Sequence, residues 1–166
     1  MLKIKFKSIV LNIFCFLIIS SCLGQRLHNA KDNKVAIIEE TKYIYWVTGY
    51  DFSSWKPNEI DFKVADDILI KAINLNQFYF LRGKNISEIK KYYRQYLCYV
   101  NERGEKIIYI NSMCELFKDY DEDNMPVVFD WKTKMIDIAD GGECYWNVKL
   151  NMTTQEFFEL KINNRS

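Results

Sequence analysis

The residues equipped for chemistry are few. The chain has one histidine, His28, and five cysteines, and His28 sits in a polar stretch ahead of the patterned part, so no Ser-His or Cys-His nucleophile is available beyond it. Cys98, Cys114 and Cys144 lack the close spacing that structural zinc prefers; neither a metal nor a cofactor is read from them. Cys114 and Cys144 fall near the ends of strand-like runs and form the possible disulfide, with Cys98 left as a small buried apolar residue. Three reduced cysteines are the equal alternative. Asp119, Asp121 and Asp123, with Asp130 in the twelfth place, have the spacing of a calcium loop. Asn124 stands where such a loop needs glycine, Pro126 falls in the eighth place and Asp130 replaces a bidentate Glu, so the stretch reads as a solvated acidic turn. Asp137 and Asp140 could form an acid/base couple, but Asp140 precedes Gly141 and Gly142, which is ordinary turn chemistry.

A broader polar surface is the stronger candidate. From Cys144 to Asn151 the side chains alternate, sending Tyr145, Asn147 and Lys149 to one face. Aligned with Arg94, Tyr96, Tyr109 and Asn111 on neighbouring strands, they would give a tyrosine and amide surface of the kind that binds proteins or glycans. The same aromatics read more readily as cross-strand pairs that stabilise the sheet or as the second half of a core.

The elements that must position these residues follow from hydrophobic period. Val64, Ile68 and Ala72, with Leu69 and Ile73, recur at intervals of four from Glu59 onward, an amphipathic helix begun by Pro57 and Asn58. Ser87 and Glu88 begin a short second helix, 86–91. Elsewhere the period is two: 35–38, 43–47, 92–101, 106–113, the VVFDW run after Pro126, 134–139, 143–151 and 156–162 read as strands, the last sending Phe158, Leu160 and Ile162 to one side. Turns fall at 102–104 and at Asp140-Gly141-Gly142, and 118–124 reads as a polar loop. Aromatics make up 16% of the chain, which leans the composition toward sheet. The fold class is therefore α+β: one long helix packed on a four- to five-stranded antiparallel meander, cystatin-like in outline.

The N-terminus is an address. Lys3, Lys5 and Lys7 precede a short apolar run, Ile9 to Ile19, well under the roughly 20 residues of a spanning helix. Ile19-Ser20-Ser21-Cys22 resembles the lipobox of bacterial lipoproteins, which implies cleavage before Cys22 and acylation of that residue. Residues 1–21 are then a signal peptide, 22–34 a flexible tether and 35–166 a single domain. Several acyl chains, at about 0.8 kcal/mol per buried methylene, would hold the protein on a membrane. Leu23 replaces the Asp that retains enterobacterial lipoproteins at the inner membrane, which points to the outer membrane, facing the periplasm. Loss of three lysines from a chain of 23 basic and 22 acidic residues leaves a slightly acidic remainder, so nucleic acid is not an expected partner.

The order Arg94-Gln95-Tyr96, Tyr99-Val100-Asn101, Gly104-Glu105-Lys106, Ile110-Asn111, Cys114, Asp140-Gly141-Gly142 and Cys144-Tyr145 resembles a group of small uncharacterised lipoproteins of Bacteroidetes-type bacteria. The resemblance implies a shared fold and location and carries over no catalytic residue. The expected function is a lipid-anchored, non-enzymatic module that binds a protein or envelope component through the sheet face or the loops beside Trp55 and Trp131. The alternative is an immunity or inhibitor-type lipoprotein that blocks a toxin or hydrolase, and an envelope hydrolase comes third.

Overall fold

The computed structural model describes residues 32–164. The expected signal peptide and lipobox, with Cys22 and His28, lie outside the described residues, as does most of the expected tether. The chain divides after Asn33, and the described helices and strands all belong to the unit from Lys34 onward.

In chain order the elements are β1 (Val35–Ile38), α1 (Lys42–Thr48), β2 (Ser53–Ser54), α2 (Glu59–Asn74), α3 (Ile86–Ile89), β3 (Tyr93–Val100), β4 (Lys106–Met113), β5 (Lys118–Tyr120), β6 (Pro126–Val128), a 3-10 turn (Gly142–Cys144), β7 (Tyr145–Asn151) and β8 (Glu156–Ile162). The class is α+β. The main sheet has six strands in the order β1-β3-β4-β7-β8, with β2 also on β3. It is mixed, because β1 runs parallel to the first half of β3 (Val35 opposite Arg94) while β2 pairs antiparallel with its other end (Ser53 opposite Val100).

Three expected strands are corrected. Tyr43 to Val47 belongs to helix α1, which Gly49 ends at φ +76 by donating its N–H to the Tyr45 carbonyl. Residues 134–139 form no strand, and of the run from Pro126 only Pro126, Val127 and Val128 pair, with β5, in a separate hairpin. α2 is fixed at its start by a capping box: the Asn58 side chain accepts from the N–H groups of Ile60 (2.8 Å) and Asp61 (3.2 Å), and Asp61 accepts from the Asn58 N–H at 2.8 Å.

Both faces of the sheet are covered. On one, Ala65, Ile68, Leu69, Ala72 and Ile73 of α2, with Phe78 and Ile89, pack against Tyr96, Cys98, Ile108, Ile110, Trp146, Val148 and Leu150. On the other, Ile44 of α1 and Met135 meet Leu97, Tyr99 and Ile107, while Trp131 and Ile136 meet Ala36 and Met113. Parity breaks in β8. A bulge between its pairings with Asn147 and Lys149, where Glu159 adopts φ +51, puts Phe158 opposite Lys149 on the second face, while Phe157, Leu160 and Ile162 stay with the α2 core. The three residues expected on one side are therefore split.

Candidate functional site

The seven residues of the expected polar face do not share a face. Arg94 lies opposite Ser112, which lies opposite Trp146; Tyr96 lies opposite Ile110 and then Val148. Both therefore point into the α2 core, where Arg94 is 1% and Tyr96 3% exposed, with the Tyr96 ring 5.9 Å from Phe62. They are unavailable to a ligand. Tyr109, Asn111, Tyr145, Asn147 and Lys149 do lie together on the second face.

Much of that second face is occupied by the protein's own chain. Gln95, fully buried between Tyr93 and Leu97, donates from Nε2 to the carbonyls of Trp131 (2.6 Å) and Lys134 (2.7 Å) and accepts at Oε1 from the Ile136 N–H (3.0 Å). Its neighbour Asn111 donates from Nδ2 to the Ile136 carbonyl at 2.7 Å and to Gln95 Oε1 at 3.1 Å. A segment without ladder pairing is thus held to the sheet by side-chain amides that supply the missing partners. Asn111 is structural. Lys149 is engaged too, bonded to Glu159 at 2.8 Å. The Tyr145 ring stacks on Phe117 at 6.0 Å.

What remains open is a shallow groove, about 320 Å³ only when the open solvent at its mouth is included, between this face, residues 136–138 and α1. Trp46, Tyr109, Asp137, Tyr145, Asn147 and Asn163 contribute to its lining. The Trp46 indole is 49% exposed. Burial, with the nearby charges of Asp137 and Tyr99, raises the Tyr109 hydroxyl far above the ordinary tyrosine range, so it keeps its proton and is a hydrogen-bond donor. Among the described residues the Tyr109 hydroxyl, the Asp137 carboxylate and the Asn147 amide make no side-chain hydrogen bond. Asn163, by contrast, donates to the carbonyls of Ile138 and Asp140, closing one end of the groove.

The other candidates resolve into structure. Cys114 and Cys144 are bridged, with Cα atoms 4.9 Å apart, where β4 ends and β7 begins. Cys98 is buried and free; burial, with a smaller effect from Asp61, pushes its thiol up to about 12, which removes nucleophilic character at neutral pH. Asp121 spends its Oδ1 on the N–H groups of Asp123 (3.1 Å) and Met125 (2.8 Å), and no metal-ligating cluster of three occurs among the described residues. Gly141 has φ +93, and a Cβ there would sit 2.5 Å from the Tyr145 ring, so the glycine serves close backbone approach at the entry to β7. Trp55 donates its Nε1–H to the Tyr99 (3.1 Å) and Ile107 (3.2 Å) carbonyls, and Trp131 is only 5% exposed. Neither is free to anchor a ligand.

Sequence reasoning missed Trp46 and Gln95. Reading 43–47 as a strand hid the position of Trp46. An amide among Tyr93, Leu97 and Tyr99 was the available signal for Gln95, since a buried amide needs partners. No family model, curated protein or solved structure matches this chain. No helix among the described residues is long and apolar enough to cross a membrane.

Proposed function

We propose that the protein is a lipid-anchored module of the bacterial envelope, at the outer membrane facing the periplasm, that binds an envelope component through the groove beside Trp46 without transforming it. It belongs, in this reading, with the small lipoproteins whose Arg94-to-Tyr145 pattern it resembles, and the α2-backed sheet is cystatin-like in outline. Ile19-Ser20-Ser21-Cys22 supports the anchor. The observation that carries the binding role is the conjunction in one groove of a half-exposed indole with a hydroxyl, an amide and a carboxylate that make no internal hydrogen bond among the described residues. Asp137 is the only carboxylate in the lining, whereas glycoside hydrolysis ordinarily uses two, which favours binding over hydrolysis.

The test is capture from detergent-solubilised envelope by the full chain, with intact-mass measurement of the bait. Cleavage before Cys22 with added acyl mass, loss of both in Cys22→Ser, and a bound component lost in Trp46→Ala are expected. An unmodified, full-length bait, or capture indifferent to Trp46, contradicts the anchor or the groove respectively.

A second reading, an inhibitor or immunity-type lipoprotein, draws on the β5–β6 hairpin. Every residue of its two strands is exposed, including Tyr120 and Val128 at 64% and 62%. Such an arm would block a toxin or hydrolase by insertion into its cleft.

A further inference from the structure

We infer that the occupant of the groove is a single ring of a carbohydrate chain, seated against the Trp46 indole with its hydroxyls on Tyr109, Asn147 and Asp137. The inference rests on the groove being the binding site and goes on to name the ligand class. Place comes first. The groove is shallow and opens to solvent, so a ligand is held at its mouth against the exposed Trp46 indole rather than enclosed. Chemistry comes second. A sugar ring has an apolar C–H face and a rim of hydroxyls that both donate and accept. The groove offers an aromatic surface for the first. For the second it offers a donor held protonated (Tyr109), an acceptor (Asp137) and an amide with both capacities (Asn147).

The alternative of an extended peptide is disfavoured by where the groove lies. Peptides are captured in the extended form by main-chain pairing at a sheet edge. This groove opens on a sheet face, over β4 and β7, whose backbone groups are committed to the ladder from Ile107 opposite Asn151 to Met113 opposite Tyr145. The sheet itself offers only side chains there, those a polyol uses, and on the 136–138 wall both backbone groups of Ile136 and the Ile138 carbonyl are spent on side-chain amides.

The experiment is co-sedimentation of the full chain, in detergent, with protease-digested, delipidated envelope polysaccharide from the producing cells. Lipid removal eliminates acyl-driven association. The wild-type chain is expected to sediment with the polysaccharide. Trp46→Ala and Asn147→Leu should weaken the association at least tenfold and Tyr109→Phe severalfold, with circular dichroism unchanged. Tyr109→Phe keeps the ring and deletes only the hydroxyl, so it reads out binding even where a larger truncation disturbs packing. Absence of sedimentation, or sedimentation that these variants leave unaltered, overturns the sugar assignment. Where undigested envelope is bound in a Trp46-dependent manner and protease abolishes that binding, the ligand is a polypeptide; the sugar assignment falls while the binding module stands. Where neither preparation is bound through Trp46, both fall.

Discussion

Gln95 and Asn111, cross-strand neighbours on β3 and β4, grip one residue between them: Gln95 accepts from the Ile136 N–H at 3.0 Å and Asn111 donates to the Ile136 carbonyl at 2.7 Å. Through this clasp the sheet carries a layer that has no strand of its own. It places residues 136–138 as one wall of the groove, so the stability of the second face and the shape of the site depend on the same two amides.

Replacing Gln95 with Leu roughly keeps the volume and strands the buried Trp131 carbonyl and Ile136 N–H and the part-buried Lys134 carbonyl. At roughly 1–3 kcal/mol for each unsatisfied buried group, a loss of about 3 kcal/mol or more is expected in urea unfolding. Because Gln95 and Asn111 share a partner, a double-mutant cycle with Asn111→Leu should be non-additive. Additive losses would show that the two amides act separately.

The Cys114–Cys144 bridge closes a loop with a sequence separation of 30. Reduction, or Cys114→Ser with Cys144→Ser, should lower stability by about 3–4 kcal/mol on chain entropy. Cys98 should resist alkylation at pH 8 in the native protein and react only on unfolding, since it is buried with its thiol at about 12. Rapid native labelling would contradict that burial.

Gly141→Ala should cost roughly 1–3 kcal/mol, from the positive φ and from a Cβ placed 2.5 Å from the Tyr145 ring. Thermal unfolding reads this directly. Gly49→Ala, also at positive φ but with nothing within 4 Å of its added Cβ, is the control that carries only the backbone penalty.

Alkaline stability has a defined sign. Burial raises the Tyr99 hydroxyl from 10.0 to about 12 and raises Tyr109 further still. Below pH 10 both states hold the proton and the stabilising contribution is whole. Between about pH 10 and pH 12 the unfolded chain releases protons that the native one keeps, so stability falls as pH rises. Unfolding free energy measured from pH 8 to pH 11 should decline at the top of that range, less steeply in Tyr109→Phe. A flat profile would contradict the burial of both hydroxyls.

The fold class was legible because one stretch with a period of 3.6 and several with a period of two suffice to define it. The rest was hidden for physical reasons. Lys42–Thr48 is rich in β-formers, yet burial of Ile44 and the stop at Gly49 make it helical. Residues 134–139 alternate like a strand but bond to side chains, and no pattern announces that. The extra residue at the Glu159 bulge reverses the parity of Phe158, which alternation cannot foresee. For the site, Tyr109 and Asn147 were found by parity within their strands. Arg94 and Tyr96 were misplaced because the relative register of β3 is set by pairing, and Trp46 was lost with the misread helix.

Side-chain oxidation footprinting of the full chain, with and without envelope extract, tests the groove most directly. Trp46 and Tyr109 are expected to become protected, while Tyr79, 70% exposed, and Tyr120 on the β5–β6 hairpin keep their reactivity. Protection of Tyr120 and Met125 with Trp46 and Tyr109 unchanged would contradict the groove and move the binding surface to the hairpin.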